Sequence, residues 1–183
     1  VKKITAPFDK DVVKSLKAGD NVLISGTIIA ARDAAHKALT ETLARGEALP
    51  VNLAGETIYY LGPSPAKPGD VIGAAGPTTS GRMDKYTPTM INEVGINGMI
   101  GKGYRSEAVV EAMKKSGCVY MVAIGGAGAL ISQSIKKYEV LAYPELGPEA
   151  IARLTVEDFP AIVAIDSEGN NFYEVGQAPY KKI

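Results

Sequence analysis

The strongest constraint on the fold is an alternation. Apolar, β-branched runs at Val22 to Ile29, Glu56 to Leu61, Val71 to Ala75, Asn97 to Ile100 and Cys118 to Ile124 are separated by amphipathic or glycine-rich stretches. Runs of this kind read as strands, and stretches whose apolar residues recur every three or four positions read as helices. Asp9 to Lys17 puts Val12, Val13 and Leu16 on one face, and Ala31 to Arg45 does so with Ala34, Ala35, Ala38, Leu39 and Leu43. Ser106 to Lys115 reads as a helix capped by Ser106 and stopped by Gly117. Met83 to Val94 reads as a helix that Pro88 interrupts or kinks. Leu130 to Lys136 and Pro148 to Leu154 read as shorter helices, the second with proline in its first turn. Tyr138 to Tyr143 is extended, and Ala161 to Ile165 with Asn171 to Val175 reads as a hairpin around Asp166-Ser167-Glu168-Gly169-Asn170. Alternating strands and helices imply an α/β fold with hairpin additions at the C-terminal end. The 183 residues, 46% of them hydrophobic, suit one domain spanning 1–183 with a sizeable core.

Composition removes several function classes. The 20 basic residues are balanced by 20 acidic ones, without the surplus that phosphate-backbone binding needs, so nucleic acid is not an expected partner. No apolar run approaches the roughly 18–20 residues of a membrane span. Cys118 is the single cysteine, so the chain has no internal disulfide, no four-thiolate zinc site and too few thiolates for an iron–sulfur cluster. Its apolar surroundings read as core. Low cysteine usage without a secretory leader fits a reducing cytoplasm. The chain opens on Val1, which fits an alternative start or a trimmed N-terminus.

Polar residues gather at strand ends, where α/β folds hold ligands. Arg32-Asp33-Ala34-Ala35-His36 follows the first long strand; Arg32 and His36 share a helix face, and Asp33 suits a helix N-terminus. The same spacing fits an exposed first turn with a solvated Arg and His. Thr78-Thr79-Ser80-Gly81-Arg82 combines hydroxyls, backbone N–H groups and a guanidinium that can grip a carboxylate with two bonds. It also fits a polar loop with Ser or Thr as an N-cap. Gly101-Lys102-Gly103 puts a cation on a mobile turn, or is a plain turn; it is not a phosphate-binding P-loop. Gly125 to Ala129 fails the dinucleotide pattern and reads as tight packing. Two arginines, a lysine and hydroxyls together match a small dianion with a hydroxyl group.

At these residues the chain resembles a known family. Gly76-Pro77-Thr78-Thr79-Ser80-Gly81-Arg82-Met83, with Arg32 to His36 upstream, Ile100 to Gly103 downstream and Glu145-Leu146-Gly147 through Phe159-Pro160-Ala161, looks like the β region of iron–sulfur hydro-lyases. These are the class I fumarases and L(+)-tartrate dehydratases. The resemblance implies a swivelling β/β/α fold and a dicarboxylate site at an interface with a cysteine-bearing α part. That partner would hold a [4Fe–4S] cluster whose open iron polarises the substrate hydroxyl. The assembly implied is a heterotetramer catalysing reversible dehydration of a 2-hydroxy dicarboxylate, (S)-malate to fumarate or alternatively L(+)-tartrate. Arg32, Arg82 and Lys102 match the family's carboxylate-binding positions, and Thr79 a substrate-binding hydroxyl. Thr78 matches the hydroxyl expected to take the C3 proton, while His36 and Ser80 would orient the residues that touch substrate. A β subunit alone would be inactive, would expose an apolar partner surface and could self-associate as a homodimer. A reading from another class is a non-catalytic dianion-binding module.

Overall fold

The computed structural model describes residues 1–123 and 128–177, with side chains described up to Glu174. Its elements in chain order are β1 (Lys2–Ala6), α1 (Lys10–Ser15), β2 (Asn21–Ala30), α2 (Asp33–Ala44), β3 (Thr57–Tyr59), α3 (Thr87–Thr89), β4 (Gly98–Gly101), α4 (Glu107–Ser116), β5 (Val119–Ala123), α5 (Gly128–Ser134), β6 (Ile135–Ala142), β7 (Ile151–Ile165) and α6 (Phe172–Gln177). The sheet order is β1-β2-β3-β4-β5-β7-β6, and β7 also pairs with β2. Strands β2, β3, β4, β5 and β7 therefore close into a small barrel within a mixed α/β fold. β2 to β5 run parallel, and β7 runs antiparallel to both β5 and β2.

Period-two alternation sorts the barrel residues into two packed layers. Val22, Ile24, Ile28, Tyr59, Ile100, Met121, Leu154 and Phe159 fill the interior. Ile29, Ile58, Tyr60, Met99 and Tyr120 face outward against Ala35 and Leu39 of α2 and Val109 and Met113 of α4. β7 is long enough to serve two neighbours because it bends. Asp158 takes φ 52°, and the register with β2 shifts between Ile24 and Gly26, the mark of a bulge. Gly26 is required where β1 crosses, since a Cβ there would run into the Ala6 carbonyl.

The α/β class, the strands at 22–29, 56–61, 97–100 and 118–124, and the helices at 9–17, 31–45 and 106–115 are present within a few residues of their expected ends. Ser106 caps α4 through the Val109 N–H, and Gly117 ends it in the left-handed region, as its sequence position predicts. Four expectations are corrected. Val71 to Ala75 is not a strand; the Ser64 hydroxyl accepts the Ala74 N–H at 2.7 Å and holds the stretch as a loop, with Ile72 and Ala75 buried. Met83 to Val94 is not one kinked helix. Ser80–Met83 is a 3-10 turn, Pro88 sits in the first turn of α3, and Met90–Val94 is a π-helical turn. Pro148 to Leu154 is not a helix, because Pro144–Glu149 forms a 3-10 turn and Ile151 already belongs to β7. The C-terminal hairpin reduces to a single bridge, Ile165 to Asn171, before α6 takes over. β1 is a strand that the sequence reading lacks. Among the described residues, no helix is long and apolar enough to cross a membrane.

Candidate active site

Parallel strands bring the ends of β2, β3 and β4 to one rim, and the three polar clusters follow those strands. The last direct rung between the β3 and β4 chains is Tyr60 N–H to the Ile100 carbonyl, at 2.9 Å. Beyond it the chains part and the segment 78–80 fills the gap. Thr78 N–H donates to the Tyr60 carbonyl at 2.7 Å, and Ser80 N–H donates to the Lys102 carbonyl at 2.9 Å. Lys102 N–H donates back to Ser80 Oγ at 3.0 Å, and Thr79 and Lys102 form a parallel bridge. Thr79 and Lys102 are exposed side by side, and Thr78 is half-buried next to them. Thr79 stands at the N-cap of the 3-10 turn but makes no capping bond through its side chain, so the plain N-cap alternative does not account for it. Ser80 is buried. Gly101 makes the wedge possible, since a Cβ there would collide with Ser80 Oγ and the Tyr60 ring.

The two arginines meet through an acid. Asp33 Oδ2 lies 2.9 Å from Arg82 Nη2, and Asp33 Oδ1 lies 3.3 Å from Arg32 Nε. Arg32 Nε is also 3.4 Å from Glu149 Oε1, which accepts the Ala34 N–H at 3.0 Å. Glu149 thus takes up a first-turn N–H of α2, while Asp33 spends its carboxylate on the arginines. Arg32 passes over Gly62, where a Cβ would lie 2.7 Å from its Cδ. The rim carries Arg32, Arg82 and Lys102 against Asp33 and Glu149, a surplus of one positive charge. Arg82 remains half exposed, with side-chain accessibility of 53%, and can still present donors outward.

His36 is not a solvated surface histidine: it is buried at 1% exposure. Its Nδ1 lies 2.8 Å from the Arg32 carbonyl. A carbonyl only accepts, so Nδ1 carries the proton. The ring packs edge-on to Tyr60 and stacks on Tyr86, with centroids 5.5 and 6.1 Å away. Burial holds its pKa down at about 4, aided by the charge of Arg105, so the ring is neutral and fixes the Arg32 main chain. Sequence reasoning missed three contributors: Asp33 as a bridge, Glu149, and Arg105, which is buried behind the 78–80 segment. None follows a spacing rule, because Asp33 reaches Arg82, Glu149 reaches Arg32 and Ala34, and Arg105 reaches Tyr60 and Asp84 across the fold.

The chain's own donors do not fit an iron–sulfur cluster. Among the described residues no group of three or more His, Cys, Asp or Glu side chains converges. Cys118 is buried, and burial pushes its thiol up to about 12, far from the thiolate a cluster needs. Gly125 to Gly126 and Ala127, from the glycine-rich run, lie outside the described residues. Beside the rim, Pro63, Pro65, Val71, Ile72, Tyr138 and Pro148 line an apolar groove of about 210 Å³.

The profile of a family described as Fumarase C-terminus matches residues 3–176. A class I aerobic fumarate hydratase of Salmonella typhimurium is 46% identical over 152 residues, covering 82% of this chain and 26% of that protein. Fumarate hydratase 2 of Leishmania major is 41% identical over 170 residues, covering 91% of this chain and 30% of its own length. A Methanocaldococcus jannaschii protein named "Putative L(+)-tartrate dehydratase subunit beta" is 41% identical over 180 residues, covering 95% of this chain and 92% of its own. The chain spans about a quarter to a third of the fumarate hydratases it matches.

Proposed function

The chain belongs to the Fumarase C-terminus family, and from that premise we propose that it is the β subunit of a two-subunit [4Fe–4S] hydro-lyase. The reaction is the reversible dehydration of a 2-hydroxy dicarboxylate, (S)-malate to fumarate. In this reading residues 1–183 form one β-subunit domain of the swivelling β/β/α type. A cysteine-bearing α subunit holds the cluster and completes a cytoplasmic heterotetramer, with the apolar groove beside the rim as surface available to a partner. The observation that supports the reading is that one acid, Asp33, pairs with both Arg32 and Arg82, while the main chain of Thr79, three residues before Arg82, is bridged to Lys102.

This chain's part of the chemistry follows from that geometry. Two carboxylates need cations spaced along the substrate, and guanidinium forks fix their planes better than ammonium groups do. Arg32 and Arg82, spaced by Asp33, serve one end; Lys102 and the Thr79 hydroxyl serve the other. Thr78 takes the C3 proton. A threonine hydroxyl is a weak base, so the alkoxide form depends on the cations beside it. Main-chain bonds on both sides of Thr79 hold the two hydroxyls without consuming the cations' side chains. His36 and Ser80 orient Arg32 and Lys102 and do not touch substrate.

The test is reconstitution. The isolated chain is expected to be colourless and inactive, and addition of a cysteine-bearing α partner is expected to give oxygen-sensitive hydratase activity. Arg82→Ala is then expected to lower kcat/KM at least about tenfold, the loss of one charged hydrogen bond. Fumarate hydration by the iron-free isolated chain, or unchanged kinetics in the Arg82 variant, would sink the proposal; the latter favours a non-catalytic dianion-binding module. A second reading, L(+)-tartrate dehydratase β subunit, is supported by the Methanocaldococcus relative, which this chain matches over nearly its whole length. The kcat/KM ratio on malate and L-tartrate separates the two.

A further inference from the structure

A buried cation lies directly behind the hydroxyl segment. The Arg105 side chain has 0% exposure, although it stands only a few residues past the exposed Lys102. Its Nε donates to Asp84 Oδ1 at 2.7 Å. Its Nη2 donates to Tyr60 Oη at 3.1 Å and to Thr87 Oγ1 at 3.0 Å, while Nη1 lies 3.4 Å from Met99 Sδ. The guanidinium carbon lies 5.2 and 4.8 Å from the ring centroids of Tyr60 and Tyr120. Asp84 turns its other oxygen to the Ser106 N–H at 2.6 Å, so one carboxylate joins both ends of the Arg105-Ser106 corner.

The connections run outward from this pair to each part of the rim, reaching the segment after β2 through the packing of Tyr60 on His36. Asp84 is two residues past Arg82. The Tyr60 carbonyl holds Thr78. Tyr120 Oη lies 2.8 Å from both Ser80 Oγ and the Gly103 carbonyl. The Tyr120 proton goes to the carbonyl, which can only accept, so the Ser80 hydroxyl donates to Tyr120. The chain of bonds Lys102 N–H to Ser80, Ser80 to Tyr120 and Tyr120 to Gly103 therefore begins and ends on the lysine turn.

Burying such a pair is a poor way to gain stability. Desolvating the guanidinium and most of the carboxylate is costly, and apolar residues of the same volume often serve as well or better. What the pair adds is a second tie between two loops that Ser80 and Lys102 join at one end only. We propose that Arg105 is a positioning residue for the dicarboxylate site. Through Asp84 it sets Arg82 relative to Lys102, and through Tyr60 and Tyr120 it seats Thr78 to Ser80. The inference rests on the hydro-lyase reading for what the site binds, but not for the bracing itself.

The test uses Arg105→Lys and Arg105→Met, with hydrogen exchange on this chain and kinetics on the reconstituted enzyme. Exchange at the Thr78, Ser80 and Lys102 amides is expected to rise at least tenfold in Arg105→Met and less in Arg105→Lys, with β2 and β7 amides unchanged. In the reconstituted enzyme, kcat/KM for the dicarboxylate is expected to fall at least tenfold, and the preference for it over its monoamide to fall as well, with partial recovery in the lysine variant. Wild-type exchange at those three amides overturns the proposal. So does acceleration spread evenly over the barrel, equal loss on both substrates, or loss of the fold in both variants, each of which marks a merely structural role. If the wild-type assembly has no hydro-lyase activity, the functional reading fails while the exchange result still decides the bracing.

Discussion

The carboxylate of Asp33 approaches the Arg82 guanidinium at 2.9 Å and reaches Arg32 with its other oxygen at 3.3 Å, so one acid spaces the two arginines of the rim. The side chains are 24% to 53% accessible, and ion pairs this exposed contribute at most about 1 kcal/mol to stability. Asp33→Asn is therefore expected to leave the melting temperature nearly unchanged. In the reconstituted enzyme it is expected to raise KM for the dicarboxylate about tenfold with a smaller change in kcat, because the carboxylate that spaces the two guanidinium forks is lost.

Two glycines near the hydroxyl segment separate packing from backbone freedom. Gly101 has no room for a Cβ because Ser80 and the Tyr60 ring occupy that space, whereas Gly76 has nothing within 4 Å and an ordinary φ. Gly101→Ala is expected to cost about 1–3 kcal/mol by overpacking. That lowers the melting temperature by about 2–4 °C per kcal/mol in a domain of this size. Gly76→Ala is expected to melt like the wild type. Calorimetry on both variants checks the contrast.

His36 links stability to pH. Its pKa is lowered from 6.5 to about 4, chiefly by burial. Below pH 6.5 the unfolded chain takes up a proton that the folded chain refuses until about pH 4. Stability is thus complete above pH 6.5 and declines as pH falls from 6.5 towards 4, by up to about 1.4 kcal/mol per unit. Carboxylates titrate near the lower end of this window, so the informative quantity is the difference between wild type and His36→Gln. Denaturant unfolding at pH 7, 5.5 and 4.5 is expected to show a steeper acid decline in the wild type.

Cys118 is expected to resist thiol reagents at neutral pH in the folded protein and to react at an ordinary rate once denatured. Burial raises its thiol to about 12 and closes access to it. Absorbance after adding an aromatic disulfide reagent, with and without denaturant, measures this directly. Fast reaction in the native state would contradict the core placement.

Local patterns were legible where the residues carry their own signal. Ser106 and Gly117 bound α4 because capping and left-handed termination are decided within a few residues. Barrel strands β2, β3 and β5 declared themselves by β-branched and aromatic content. β1 did not, because in Lys2–Ala6 only Ala6 is buried and its order comes from pairing with β2. Ile151 to Leu154 looked helical after Pro148, yet alternation carries Ala152 and Leu154 into the barrel interior, a period visible only over the whole of β7. Asn171 to Val175 pairs with β7 only at Ile165, and the turn organised by Asp166 leads into a helix. The hydroxyls and cations of the candidate site stand out in the sequence as three short groups, at 32–36, 78–82 and 101–103. Asp33, Glu149 and Arg105 do not show their roles there, because what they do depends on partners far along the chain.

The segment 78–80 is held by main-chain N–H and C=O groups of Tyr60 and Lys102 and by the buried Ser80 hydroxyl, not by the side chains of Thr78 or Thr79. Scaffold and chemistry are therefore separable at this position. The two threonines can be exchanged for other residues while the strand they ride on stays in register. With Thr78 assigned to the proton, position 79 is where a directed library can vary substrate range without renegotiating the fold.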